Sequence, residues 1–469
     1  MTVLLMMATI QHFIVFALIG LRATADLMTQ DLCSSRSCHC VQNVDNTSAL
    51  SCKSLTTVPQ PTSWLRTRSL SAVDFSHNRI QEIPTLGPYP PLQSFDLHDN
   101  TIHEVPPNVF QGLNNLDVLN LGHNNIAELH ADAFAGLEKL TVLNLTENFI
   151  VTIHPDTLSK LPYLKQLSLC GNNLNAVDPL WFQHVPRLEQ LDLRTLGLSS
   201  LPDDVFQQLP SLKTLQLSEN EFKTVPTAGL RSARRLKTLH FEHNPVATLT
   251  AKSFEKVTTI EYLHLSVMPS LRTVEEGAFV AMKNLKFLDL GHNPQLCSVH
   301  PGAFYRDPID HSISLETVYL GYNNLTSLGY PGFDWCSIPV LDLRGNPWNC
   351  DCNLVWIGTC RFHSELTVNL RCKAPADVSG IPIAELAAGH IKCPQRSPAV
   401  RVTTDEEEEH LSLRLFVVTA GLLALLMALT TALAAFKWRD IKYWLHDRKR
   451  IGSVYYVKAR TGPPPPTEV

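Results

Sequence analysis

Leu116–Lys139 reads LDVLNLGHNNIAELHADAFAGLEK, and this stretch is one copy of a unit that returns along most of the chain. Aligned copies follow L-x-x-L-x-L-x-x-N-x-L-x-x-L-x-x-x-x-F. Their first positions are Leu70, Leu92, Leu116, Leu140, Leu164, Leu188, Leu212, Leu236, Ile260, Leu285, Leu315 and Ile338, and most steps are 24 residues. Within each copy x-L-x-L-x alternates with period two, as in Val118-Leu119-Asn120-Leu121-Gly122. That pattern predicts a short strand with leucines on one side and variable residues on the other. One such strand cannot bury its own leucines. Stacked copies can, as a parallel sheet with Ile126, Leu129, Phe134 and Leu137 closing the core behind it. Asn124 marks the bend after the strand, where its amide can satisfy backbone groups that the turn leaves unpaired. Its equivalents Asn78, Asn100, Asn148, Asn172, Asn220, Asn244, Asn293, Asn323 and Asn346 predict a ladder. Leu196 and Met268 interrupt it, which predicts looser or differently bent loops there.

Self-similarity at this period is the signature of a leucine-rich repeat. The fold class is therefore an α/β repeat, a solenoid with a curved parallel sheet and about eleven repeats between residues 61 and 345. A solenoid grows without a single globular core, so a length of 469 residues says little about domain count. The net charge of −5 is unevenly placed: residues 437–469 hold eight Lys/Arg and three Asp/Glu, net +5, leaving −10 for the rest. A negative main body argues against nucleic acid as a partner. Twelve cysteines, clustered at both ends of the repeats, point to disulfides in an oxidising compartment.

Residues 1–25 read as a secretory signal, with the apolar run Phe13–Leu21 and Ala23-Thr24-Ala25 before the cleavage point, though a basic leader is missing. Cys33, Cys38, Cys40 and Cys52 follow in the spacing C-x4-C-x-C-x11-C, in a segment (26–60) placed where a solenoid's exposed first repeat needs a cap. A zinc site is the alternative for these four, disfavoured by the secretory context. After the repeats, Asn346-Pro-Trp-Asn-Cys350-Asp-Cys352-Asn-Leu-Val-Trp356 opens a second cysteine-rich segment (346–394) that continues to Cys372 and Cys393. Here a C-x-C metal or redox site is the rival. Cys336 and Cys360 are candidates for an extra bridge, Cys297 competes for either, and Cys170 falls at an exposed strand position where a free thiol is one reading; the pairing of these four stays open. Residues 395–412, including Asp405–Glu409, read as an acidic stalk. Leu415–Phe436 is 22 residues without a charge, the core of one transmembrane helix over 413–436. Basic residues follow it, so the repeats lie outside and the tail (437–469) inside: a single-pass type I protein of the plasma membrane.

The outward sheet positions decide what the face can bind. In order they are Ala72/Asp74/Ser76, Ser94/Asp96/His98, Val118/Asn120/Gly122, Val142/Asn144/Thr146 and Gln166/Ser168/Cys170. Gln190/Asp192/Arg194, Thr214/Gln216/Ser218, Thr238/His240/Glu242, Tyr262/His264/Ser266, Phe287/Asp289/Gly291 and Thr317/Tyr319/Gly321 continue the series. The N-terminal half is small, polar and acidic. The C-terminal third carries Tyr262, Phe287 and Tyr319 beside His240 and His264, and aromatic residues on an exposed scaffold face are favoured anchors for a protein partner. Scattered surface aromatics are also normal. Sequons occur at Asn46, Asn144 and Asn324, the second on the strand face, where a sugar would crowd the N-terminal half. The step of 30 between Leu285 and Leu315 places a polar insertion near Tyr305–Ser312. The terminus Thr467-Glu468-Val469 is a ligand for a PDZ-domain scaffold by pattern, with Val469 for the apolar pocket and Thr467 for the hydroxyl contact.

No catalytic constellation emerges, and neither metal nor cofactor is expected. His240-Phe-Glu242-His243 crosses a strand into its bend, so its two histidines need not share a face as on a zinc-protease helix. The chain reads as a contact protein and not an enzyme.

The whole layout resembles the extracellular leucine-rich-repeat type I membrane proteins. That resemblance implies bridges Cys33–Cys40 and Cys38–Cys52 in the first cap and Cys350–Cys372 and Cys352–Cys393 in the second. Within the class, Ile441-Lys-Tyr-Trp444-Leu-His446, the pair Tyr455/Tyr456 and the PDZ-ligand ending are similar to the trophoblast glycoprotein-like family. That likeness implies a receptor-like membrane protein that dampens Wnt signalling through an extracellular ligand or receptor ectodomain. The different reading is a cell-adhesion molecule.

Overall fold

Leucines spaced for a strand, and only for a short one, yield strands of three residues in most repeats. The structure, a computed structural model, describes residues 32–34, 36–42, 48–59, 69–305, 313, 315–329, 333–360 and 370–386. The signal segment 1–25, Asn46, residues 306–312 of the insertion, Cys393, the stalk, the span 413–436 and the tail with Thr467 and Val469 lie outside them. No helix among the described residues is long and apolar enough to cross a membrane.

One sheet of 14 strands organises the described chain. It opens with an antiparallel hairpin, β1 (Cys38–Gln42) and β2 (Ser48–Cys52), in which Cys38 lies opposite Cys52. β2 then pairs in parallel with β3 (Leu70–Asp74), across a register shift at Ser48/Ala49. The repeats add β4 (Ser94–Asp96), β5 (Val118–Asn120), β6 (Val142–Asn144), β7 (Gln166–Ser168) and β8 (Gln190–Asp192). They continue with β9 (Thr214–Gln216), β10 (Thr238–His240), β11 (Tyr262–His264), β12 (Phe287–Asp289), β13 (Thr317–Tyr319) and β14 (Val340–Asp342). From β2 to β14 every pairing is parallel and sequential, so the residue that follows a given outward position in the next repeat lies directly beside it.

The inward leucines are sealed: Leu119, Leu121, Leu143, Leu145, Leu215 and Leu217 are all at most 1% exposed. Ile126, Phe134 and Leu137 show no exposure and Leu129 only 2%, so they close the core from behind. The motif's last position builds a broken column of rings. Phe110 and Phe134 have centroids 6.5 Å apart, Phe182 and Phe206 6.4 Å, Phe254 and Phe279 6.0 Å, and Phe279 and Phe304 5.3 Å. Leu158 and Leu230 stand in the gaps, both buried, Leu230 on the short helix Thr227–Ser232. Two-residue strands on the back, such as Glu128–Leu129 beside Thr152–Ile153, complete the coils.

The asparagine ladder is built as a relay between repeats. Asn124 Nδ2 donates to Leu121 O (3.1 Å) in its own copy and to Leu97 O (3.0 Å) in the previous one. Its Oδ1 accepts from Ile102 N at 3.0 Å, so one buried amide satisfies backbone groups of two repeats. The residue before each asparagine is left-handed, as at His123 with φ 53°.

Two expectations are corrected here. The loops at Leu196 and Met268 are not differently bent: Thr195 and Val267 keep the left-handed turn at φ 54°. The next asparagine takes over, with Asn220 Oδ1 accepting from Leu196 N (3.1 Å) and Leu198 N (3.0 Å), while Asn293 Oδ1 accepts from Met268 N (2.6 Å). The apolar side chains then simply join the core. The second correction concerns outward positions expected to be exposed: Cys170, Asp192 and Ser218 are buried, as are Gly122, Gly291 and Gly321. The neighbouring repeat overhangs all of these but Asp192, which is covered from within its own repeat. Asp192 is covered by Arg194, whose Nε and Nη2 donate to it at 2.9 and 2.7 Å, and Cys170 lies in the field of that same pair.

Both ends of the repeats carry bridges. Cys33–Cys40 and Cys38–Cys52 lie before them, and Cys336–Cys360 and Cys350–Cys372 after them. Cys352 is disulfide-bonded too. Cys170 and Cys297 are free thiols. Trp335 and Trp348 plug the C-terminal end, fully buried, with Trp348 Nε1 donating to Leu343 O at 3.1 Å.

Candidate functional site

Parallel in-register stacking converts spacings of 24, 25 and 30 residues into lateral contact, and it assembles the five residues singled out on β10–β13. His240 and His264 lie opposite each other and their rings stack with centroids 4.2 Å apart and planes at 14°. His264 meets Phe287 at 4.8 Å. Phe287 meets Tyr262 at 6.4 Å and Tyr319 edge-on at 5.6 Å. The result is a continuous strip of five rings across four strands. Tyr262 is its most open member at 41% exposed; the other four are half-buried.

Below the strip the register places Glu242, which the one-dimensional reading did not select. Its Oε1 lies 3.2 Å from His240 Nδ1 and 4.0 Å from His264 Nδ1, and its Oε2 accepts from Ser218 Oγ. Burial pushes this carboxyl up, but the hydrogen bonds from His240 and Ser218 outweigh it and hold Glu242 below the usual carboxylate range. Burial and the adjacent His240 push His264 below the ordinary histidine value. His243, in contrast, sits in the left-handed bend at φ 57° and is exposed. Among the described residues, His240, Glu242 and His264 are the group whose donor atoms converge closely enough, within 4.8 Å, to hold a metal ion. His240 and Glu242 border a shallow concavity of about 280 Å³ that also takes in Gln216, Ser218 and Glu219. His240 and His264 were already aligned by their 24-residue offset; what was missed is the lateral approach of Glu242 to His264, which alternation along one strand does not show.

A further pair lies at the bends beside the strip, where Tyr322, 49% exposed, stacks on His292 at 4.6 Å and 12°. Charges flank the strip and are mutually satisfied: Lys237 and Lys286 both reach Glu261, at 2.7 and 3.3 Å.

The N-terminal half of the same face is different in kind. Asn144 Nδ2 donates to Asn120 Oδ1 at 2.8 Å, Thr146 Oγ1 and Ser168 Oγ are 2.7 Å apart, and Ser51 Oγ donates to Asp74 at 3.0 Å. Asp96 engages His98 Nδ1 at 2.8 Å. Polar groups here are spent on each other. Of the sequon asparagines, Asn144 is half-buried on this face and Asn324 is exposed beyond β13.

Comparison with known proteins agrees with this architecture. The leucine rich repeat family model matches residues 90–150, 138–196, 194–246 and 234–294. The leucine-rich repeat transmembrane protein FLRT2 of Rattus norvegicus is 33% identical over 67 residues, 14% of this chain, and the Mus musculus protein gives the same figures. This chain spans only about 10% of the length of those relatives. Among solved structures, the octameric complex of latrophilin 3, Unc5D and the FLRT2 repeat domain contains a chain with TM-score 0.51 at 23% identity, covering 73% of this chain and 95% of that one. The glycosylated Toll–Spatzle complex of Drosophila contains another, with TM-score 0.50 at 21% identity, covering 71% of this chain and 56% of that one. These likenesses establish the repeat solenoid.

Proposed function

We propose that this leucine-rich-repeat protein is a single-pass cell-surface molecule that docks the ectodomain of another protein on the β10–β13 face. The observation that carries the reading is the ring strip Tyr262–His264–Phe287–Tyr319 with His240: aromatic, laterally continuous and rimmed by satisfied charge. Interfaces concentrate their energy in such aromatic clusters surrounded by a polar rim. A repeat scaffold with no catalytic constellation on its face suits contact and not conversion. The similar FLRT2 repeat domain sits in a complex with latrophilin 3 and Unc5D, which is the kind of ectodomain partner meant here.

In this reading residues 1–25 direct secretion, the two cysteine-rich segments cap the ends, a Cys352–Cys393 bridge completes the second cap, and 413–436 spans the membrane. Asn46, Asn144 and Asn324 carry sugars, and the one at Asn144 crowds the N-terminal half of the face. Thr467 and Val469 hand the tail to a PDZ scaffold. The trophoblast glycoprotein-like features of the tail support a modulator of signalling, with Wnt inhibition as its direction. Alanine at Tyr262, Phe287 and Tyr319 together should abolish partner binding at unchanged surface expression; undiminished binding would remove the site. Deleting Thr467–Val469 should delocalise the protein, and an unchanged distribution would remove the PDZ partner.

The second reading is adhesion, in which the same exposed ring face meets a neighbouring cell or the matrix. Beads coated with the purified protein decide: aggregation with each other or with expressing cells supports adhesion, while dispersed beads exclude homophilic contact.

A further inference from the structure

We propose that His240, Glu242 and His264 form a three-ligand site for a transition-metal ion of the Zn²⁺ class, open toward the concavity beside it. This goes beyond docking and does not depend on it. Two imidazole nitrogens and one carboxylate oxygen converge, the donor set that suits zinc and its neighbours and not calcium or magnesium. Tetrahedral zinc with bonds of about 2.0–2.1 Å needs its donor atoms about 3.3 Å apart. His240 Nδ1 and Glu242 Oε1 already stand at 3.2 Å, and His264 Nδ1 is 4.0 Å from the same oxygen. The rings stack with planes at 14°, so one imidazole must swing out of the stack to turn its lone pair toward the shared point and close the set.

The scaffold holds these positions. His240 and His264 are paired residues of β10 and β11, and both rings are half-buried, so neither is a freely moving surface side chain. Glu242 is anchored from the far side by Ser218 Oγ on Oε2, which leaves Oε1 aimed at the two rings. Such an outer partner orients a ligating carboxylate. The fourth coordination position faces the concavity, where water or a partner's imidazole or carboxylate can occupy it. The N-terminal face has its own histidine pair, with His77 Nε2 and His98 Nε2 3.2 Å apart, but their other nitrogens are taken by exposed Asp99 and half-buried Asp96 and no third donor joins them. That pair is the internal control.

The test is titration of purified, chelator-stripped full-length protein with Co²⁺, read by visible d–d absorption, followed by competition with Zn²⁺. One equivalent of Co²⁺ should produce the intense spectrum of a low-coordinate site, and Zn²⁺ should bleach it. H264Q and E242Q should each weaken Co²⁺ affinity by more than about 100-fold with unchanged far-UV circular dichroism, and S218A by about tenfold, the scale of an outer-shell loss. H98Q should leave the spectrum intact. Absence of the spectrum in the parent protein would overturn the assignment. So would its persistence in both H264Q and E242Q, or its loss in H98Q.

Discussion

The two halves of the strand face share one backbone and differ in what their outward residues do with it. On β3–β7 the outward groups are short and polar and bond sideways to one another, Asn144 to Asn120 and Thr146 to Ser168. On β10–β13 they are rings that touch laterally and still present their faces, with Tyr262 at 41% exposure. A self-satisfied polar ladder gains little from a partner, because each new hydrogen bond replaces one already made. A ring strip gains by losing water. The same fold thus carries one half that stabilises itself and one half that is left to bind.

That contrast is open to attack in a graded way. The largest effect should come from Tyr262, Phe287 and Tyr319 changed together to alanine. At about 2 kcal/mol per anchor, partner binding on cells should fall by more than about 1,000-fold, while alanine at Ser94, Asn120 and Ser168 should change it less than about twofold. Comparable losses in both sets would erase the distinction between the halves.

Next come the cores, where the halves should agree. Phe134→Ala and Phe279→Ala each remove a fully buried ring and should cost about 3–5 kcal/mol in denaturant unfolding of the purified protein. A cost confined to one half would mean that the solenoid is not one continuous core. Smaller still is the loss of one ladder rung. Asn124→Ala strands buried carbonyls of two repeats and should cost about 1–3 kcal/mol by the same assay.

Much of this was legible in the chain because the repeat writes its own geometry. Leucine at L-x-L fixed which side of each strand is buried, and the phenylalanine at the motif's end fixed the rear wall. Tyr262, Phe287 and Tyr319 could be placed on one face from their register alone. Three things were not legible. Glu242 was placed on the outward side of its strand, but only the lateral neighbour His264 gives it a role. Cys170 looked exposed because alternation says nothing about overhang by the next repeat, where the Asp192–Arg194 pair lies. Leu196 and Met268 looked like defects because the pattern does not show that one asparagine can serve two backbone N–H groups, as Asn220 does.

The central claim is that the partner meets β10–β13 and leaves β3–β7 alone. A photo-crosslinking amino acid placed at Phe287, and separately at Ser94, in the full chain on living cells measures this directly. Irradiation should give high-mass protein adducts from position 287 and none from position 94. Adducts of equal yield from both positions, or from position 94 alone, would contradict the account.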